Sequence, residues 1–168
     1  MMAVANPKAA LRPFLPADAP MLAEIFRASI AELTADEYSE AQQEAWAATA
    51  DDEKAFAARL GKQLTVVGTL DGSPVGFISL AVPERIDLLY VHPAATGRGV
   101  GAMLYDAVEK LATARGATRL TVDASDSASR FFQKRGFVAQ RRNTVICGDE
   151  WLANTTMEKK LLAGGKPS

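Results

Sequence analysis

Three glycines at alternate positions, Gly97, Gly99 and Gly101, lie in the run Thr96-Gly97-Arg98-Gly99-Val100-Gly101. Before them stands the apolar stretch 86–91, with Ile86, Leu88, Leu89, Tyr90 and Val91, which predicts a buried strand stopped by His92-Pro93. After them Val100, Leu104, Val108 and Leu111 recur at helical spacing as far as Arg115, and Gly116 stands where a helix-ending glycine belongs. Glycines at a helix entrance take away the side chains that would keep a ligand from the main chain. The N–H groups there have no partner within the helix and share the positive end of its dipole. Such a turn attracts phosphate: the dipole contributes about 1 kcal/mol and N–H bonds to a charged oxygen contribute more. A single glycine would signal only a tight turn; three at alternate positions where a helix begins point to anion binding. Nearby, Asp87 interrupts the apolar run, and a carboxylate is costly to bury there. Glu84 stands just before that strand and His92 just after it.

The elements that position this turn follow from changes in period. A short first strand over 9–15 leads to an N-cap candidate at Asp18 and a helix carrying Leu22, Ile25, Phe26 and Ile30. Ser39-Glu40-Ala41-Gln42 has capping-box spacing and opens a second helix to about Ala50; Asp51 and Asp52 cap a third, which Gly61 ends. Strands over 64–70 and 75–82 flank the hairpin signal Asp71-Gly72-Ser73-Pro74 and, with 86–91, make an antiparallel meander. The glycine-opened helix, with Tyr105 on its exposed side, leads to a strand over 118–122. A short helix capped by Asp126 or Ser127 carries Phe131 and Phe132, and the strands 137–147 and 150–159 form a final antiparallel pair. The expectation is one α+β domain over 9–160, with a mixed, mostly antiparallel sheet flanked by helices and with tails at 1–8 and 161–168.

A chain of 168 residues suits a single core. Nineteen basic and twenty acidic side chains nearly cancel and form no long basic run, which argues against a nucleic-acid partner. No apolar run is of membrane-spanning length and the first ten residues lack a signal-peptide core, so no membrane partner and a cytoplasmic location are expected. The single Cys147 fits a reducing compartment, and one Cys with one His make a structural zinc site improbable; no metal is expected.

Gly97 to Ala102 also satisfies the dinucleotide fingerprint G-x-G-x-x-G/A, with Asp123 one strand further on, so a nicotinamide-dependent oxidoreductase is one reading. Its context is wrong: five residues separate strand from turn, and a meander precedes it instead of a doubly wound parallel sheet. The other reading is a family resemblance. Leu89-Tyr90-Val91-His92-Pro93, the glycine turn, and Ala128-Ser129-Arg130-Phe131-Phe132-Gln133-Lys134-Arg135-Gly136-Phe137 together resemble the GNAT superfamily of acyl-CoA-dependent N-acetyltransferases over nearly the whole chain.

The resemblance implies acetyl-CoA as co-substrate and a primary amine of a small molecule or peptide as acceptor. It implies that Thr96, Gly97, Arg98, Gly99, Val100, Gly101 and Ala102 hold the pyrophosphate, and that Leu89, Tyr90 and Val91 hold the pantetheine arm by strand-like hydrogen bonds, with a main-chain N–H at Tyr90 or Val91 meeting the oxyanion. Ser125, Arg130, Phe131 and Phe132 would complete the coenzyme cleft. Thr96 stands where the family prefers Gln or Arg, Ser125 where Asn is common, and Phe132 where many members carry the Tyr that protonates the leaving thiolate. Freeing a lysine-like amine at pH 7 costs about 4.6 kcal/mol, whereas releasing the thiolate costs about 2 kcal/mol, so the base is the larger need. Asp87 and Glu84 are the candidate bases, with His92 behind them. Phe26, Tyr38 and Trp46, with Trp151, are candidates for the acceptor pocket. Loss of the tyrosine keeps open a non-catalytic acyl-CoA-binding module. Family members often dimerise, so a homodimer is possible on this resemblance.

Overall fold

The computed structural model describes residues 8–161. Seven strands form one sheet in the order β1-β2-β3-β4-β5-β7-β6. They are β1 (Ala9–Pro13), β2 (Leu64–Leu70), β3 (Ser73–Ala81), β4 (Arg85–Val91), β5 (Arg119–Ser125), β6 (Val138–Cys147) and β7 (Glu150–Lys160). Every adjacent pair is antiparallel except β4 with β5, which the crossover helix makes parallel. The α+β expectation therefore holds, and a doubly wound dinucleotide fold is ruled out. β7 enters between β5 and β6, so the final hairpin is sewn into the sheet by its second strand. The expected tails fall almost wholly outside the described residues.

Two apolar layers sandwich the sheet. On one face α4 (Val100–Ala114) and α5 (Ser129–Gln133) cover Ile78, Leu80, Ile86, Leu120, Val122 and Met157. On the other, α1 (Ala19–Leu33) and α3 (Glu53–Gly61) cover Val67, Phe77 and Leu88. The small helix α2 (Glu40–Ala47) buries none of its residues completely and leans on the β6–β7 hairpin, where Gln42 Nε2 donates to the Trp151 carbonyl at 2.7 Å. Its capping box forms as the Ser39/Gln42 spacing predicts, and Asp52 caps α3 through the Ala55 N–H. Among the described residues no helix is long and apolar enough to cross a membrane.

Three local expectations change. Asp18 does not cap α1: its carboxylate accepts a two-pronged hydrogen bond from Arg12 and another from the Leu15 N–H. The cap position of α5 is Ala128, because β5 runs on to Ser125 and takes Asp123 into the strand. Tyr105 is buried, not exposed. Its ring meets Phe131, Phe132 and Phe137 edge-on, so α4 is covered from the α5 side as well as from the sheet, while Leu111 emerges.

α4 lies close to the sheet because β2 and β3 present glycines beneath it. A Cβ on Gly76 would fall 3.0 Å from the Tyr90 carbonyl oxygen and 3.3 Å from Leu104 Cδ1. The substitution Gly76→Val should therefore overpack this layer, costing roughly 2 kcal/mol. Thermal unfolding should show the midpoint falling by roughly 4–8 °C.

Candidate active site

The site begins where β4 and β5 part. Only two rungs join them, Arg85 with Thr121 and Ile86 with Val122. Beyond these, β4 stays paired with β3 as far as Val91 and β5 stays paired with β7 as far as Ser125. The strands are thus pulled to opposite sides, and a cleft of about 480 Å³ opens between them.

A β-bulge sets the geometry of the β4 wall. Ser79 pairs with Leu88 and Leu80 with Ile86, which leaves Asp87 as the additional residue of β4. Side chains normally alternate faces along a strand, and one inserted residue turns the later ones over. Ile86 accordingly packs on the α4 face, while Leu88 and Tyr90 pack on the α1 and α3 face. The hydrogen-bonding edges turn over too. The His92 N–H donates to the Val75 carbonyl at 2.7 Å, so His92, Tyr90 and Leu88 direct their main-chain groups to β3. Leu89 and Val91 therefore direct theirs into the cleft. Of the two N–H groups suggested for an oxyanion contact, that of Val91 faces the cleft and that of Tyr90 does not.

At the mouth of the cleft His92 turns the chain. Its Nδ1 accepts from the Ala94 N–H at 3.1 Å, which makes it a turn element and not a base. Thr96 Oγ1 donates to the Pro93 carbonyl at 2.9 Å and braces the same turn. Gly97 and Gly99 then adopt φ of 79° and 77°, the left-handed region that favours glycine. No atom outside the neighbouring residues comes within 4 Å of where their Cβ atoms would be, so the turn presents open main chain. Gly99 is the N-cap of α4 and no side chain caps it; the first helical bond runs from the Met103 N–H to the Gly99 carbonyl. Arg98, Val100 and Ala102 belong to this same turn. At Gly101 a Cβ would lie 3.5 Å from Phe131, so α4, α5 and the end of β4 meet closely here.

The two proposed carboxylate bases are occupied elsewhere. Asp87, with its side chain 6% exposed, accepts from Arg59 Nε at 2.8 Å and Arg59 Nη2 at 2.9 Å. It also accepts from Gln63 Nε2 at 2.9 Å and Arg85 Nη1 at 3.1 Å. Burial by itself would raise this carboxyl, but the bonds from Arg59 and Gln63 and the charges of Arg59 and Arg85 hold it below its ordinary value. It lines the cleft, yet its lone pairs are filled, and it is not placed to take a proton directly. Glu84 is ion-paired with Arg119 at the foot of the strand and is not among the residues that line the cleft.

The acceptor candidates divide. Phe26, Tyr38 and Trp46 all line the cleft on the α1 and α2 side. Tyr90 joins them, its ring centroid 4.7 Å from Phe26 and 6.4 Å from Trp46. The Tyr38 hydroxyl donates to the Ala153 carbonyl at 2.6 Å and accepts from the Asp126 N–H at 2.9 Å. Burial raises it above its ordinary value, and both bonds make it a pin between β7 and the β5–α5 turn, not a free acid. Trp151 points outward, 61% exposed, and takes no part in the cleft. On the α5 side Ser125 accepts from the Ala128 N–H at 3.2 Å, and Phe131 and Phe132 line the wall. Phe132 is packed against Phe137, and its position carries no phenol. Arg130 is exposed and off the wall. The sequence reading missed Arg59, which ion-pairs across 28 positions, and the wall segment Val145, Ile146 and Cys147 from β6. It also misplaced Asp123, seen only as a ribose partner; the strand alternation around Val122 and Ala124 would have put it on the cleft face.

The family model described as an acetyltransferase (GNAT) domain matches residues 34–161. A protein of Escherichia coli K12, the uncharacterized N-acetyltransferase YafP, is 34% identical over 150 residues, covering 89% of this chain and 95% of that one. A crystal structure from Rhodopseudomonas palustris, described as a GCN5-related N-acetyltransferase, aminotransferase class II, is 63% identical with a TM-score of 0.90, covering 96% of this chain and 99% of the other. The PaiA N-acetyltransferase of Thermoplasma acidophilum, solved with coenzyme A, has the same fold at 22% identity, with a TM-score of 0.76 and coverage of 92% and 99%. Matched by the family model over most of its length and by relatives along nearly the full chain, the protein belongs to the GNAT family of acetyltransferases.

Proposed function

We propose that the protein transfers an acetyl group from acetyl-CoA to a primary amine of a small molecule or peptide, by direct attack of the amine on the thioester. One observation carries this reading. The open main chain at Gly97 and Gly99, the uncapped entrance of α4 and the cleft-facing edges of Leu89 and Val91 lie in series, leading from the mouth of the cleft to the fork between β4 and β5.

The residues fit the coenzyme. The α4 entrance offers uncapped N–H groups to a pyrophosphate. From Val91 to Leu88 the strand advances about 10 Å, three rises of a strand residue, so an arm paired along it ends near the fork. Acetyl-CoA supplies the activated acyl group. The chain orients it, excludes water with Phe131, Phe132 and the aromatic wall, and offers a Leu89 or Val91 N–H to the developing oxyanion. With Asp87 and Glu84 engaged, the amine's proton passes to water at the open mouth. Phe132 contributes no proton to the thiolate, and the cost of about 2 kcal/mol for its release at pH 7 is small beside that of freeing the amine. Asp87 acts through position: it ties the bulge of β4 to α3 and so keeps the strand turned over beside the cleft.

Thiol release from acetyl-CoA with a panel of alkylamines tests the reading; no amine-dependent release would overturn it. Gly99→Val forces a branched side chain into the left-handed region and onto the open turn. Calorimetry should show coenzyme A affinity falling by roughly 30-fold, about 2 kcal/mol, with the fold retained. Asp87→Asn should destabilise the protein by roughly 1–2 kcal/mol at pH 7, since charge-assisted hydrogen bonds from two half-exposed guanidinium groups are lost. The folded carboxyl lies below its ordinary value of 3.8, so its contribution is present above that pH and disappears as pH falls through the lower folded value. Denaturant midpoints of the two proteins should therefore converge on acidification below about pH 4.

A further inference from the structure

Three charged side chains line the cleft, Arg59, Asp87 and Asp123. The first two neutralise each other, and Arg85 adds a second cation to Asp87. Asp123 has no ion-pair partner within 4 Å among the described residues. Its single hydrogen bond is from Thr156 Oγ1 to Oδ1 at 2.6 Å. That hydroxyl is aimed, because Thr156 Oγ1 accepts from Asn143 Nδ2 at 2.8 Å and has its own proton left to give. Asn143 Nδ2 is held in turn by Asn154 Oδ1 at 2.9 Å. Oδ2 of Asp123 is left open.

The sheet register puts this carboxylate at the reacting end. Ile86 and Val122 are the last rung between β4 and β5, so Asp87 and Asp123 are the next residues on each prong. Leu120, Val122 and Ala124 pack into the α4 layer, which turns Asp123 to the opposite face, the face of Phe26, Trp46 and Tyr90. An uncompensated carboxylate on the same face as a wall of aromatic rings selects for a cation, by charge and by the ring quadrupoles.

Building on the acetyl-transfer reading above, we infer that the acceptor enters as a cationic aliphatic amine whose ammonium docks on Asp123 Oδ2, with its apolar body on the Phe26–Trp46–Tyr90 wall. Asp123 is then the group that decides which acceptors are used. Neutral arylamines and carboxylates gain nothing from it. One carboxylate suits one ammonium group and not a polycation.

The test uses the full chain saturated with coenzyme A, a dead-end complex in which acceptor binding is read by calorimetry. The probes are phenethylamine and its neutral isostere 2-phenylethanol. The amine should bind at least roughly tenfold more tightly than the alcohol. Asp123→Asn should remove that advantage, while Asp123→Glu should keep most of it, with coenzyme A affinity unchanged in both. Equal binding of amine and alcohol to the wild-type complex would overturn the inference, without need of any variant. So would failure of the amine to bind, or an undiminished amine preference in Asp123→Asn. Coenzyme A is titrated first. If it binds and the amine preference is missing, only the docking inference falls; if it does not bind, the acetyl-transfer reading falls with it.

Discussion

Asp87 adds one residue to β4, and the strand turns over around it. Before the bulge β4 offers its edge to β5; after it, the same edge belongs to Leu89 and Val91 and faces open space. The inversion is held by charge. Arg59 reaches from α3 with two parallel N–H bonds, Gln63 adds a third, and Arg85 stands on the near side. A carboxylate shielded to this degree is tolerable only because each desolvated lone pair finds a donor. The arrangement that makes Asp87 unfit to take a proton is the one that keeps the cleft in shape.

A fork of this kind would close if its prongs were free to pair. Each is committed elsewhere, β4 to β3 and β5 to β7 along its whole length. The far prong is clamped again at its tip. The Tyr38 hydroxyl ties the turn after β5 to β7, and Arg142 grips Asp126 while touching Thr155. On the near prong, glycines in β2 and β3 let α4 settle against the sheet, so that its uncapped end sits at the end of β4. Two layers of core on opposite faces hold the two prongs, and the cleft is the seam between them.

How much of this could be read from the chain depends on how local each cause is. The glycine turn was legible because left-handed backbone at Gly97 and Gly99 is a property of single residues. The meander and the crossover helix were legible from period and turn chemistry. The bulge was not, since 88–91 is apolar on both faces and the break at Asp87 reads equally as a charged residue within a regular strand. Nor was the fate of Asp87, settled by Arg59 on another element. Tyr105 was assigned to the wrong side because the buried stripe of α4 is widened by Phe131, Phe132 and Phe137, whose return to that helix no local signal announces.

The departures from the family's usual residues become consistent once the costs are compared. Phe132 cannot protonate a thiolate, and its ring instead completes an apolar cluster with Phe137 and Tyr105. That exchange is tolerable because a thiol is already within two pH units of neutrality, while an alkylamine lies more than three away. On the acetyl-transfer reading, how the amine is met therefore matters more to the energetics than how the sulfur leaves. On that reading the polar chain from Asn143 through Thr156 to Asp123 would stand on the amine side of the fork and not on the thiol side. Its placement would then follow that inequality: the larger energetic demand would have the aimed donors and the open carboxylate, and the smaller one would be left to water.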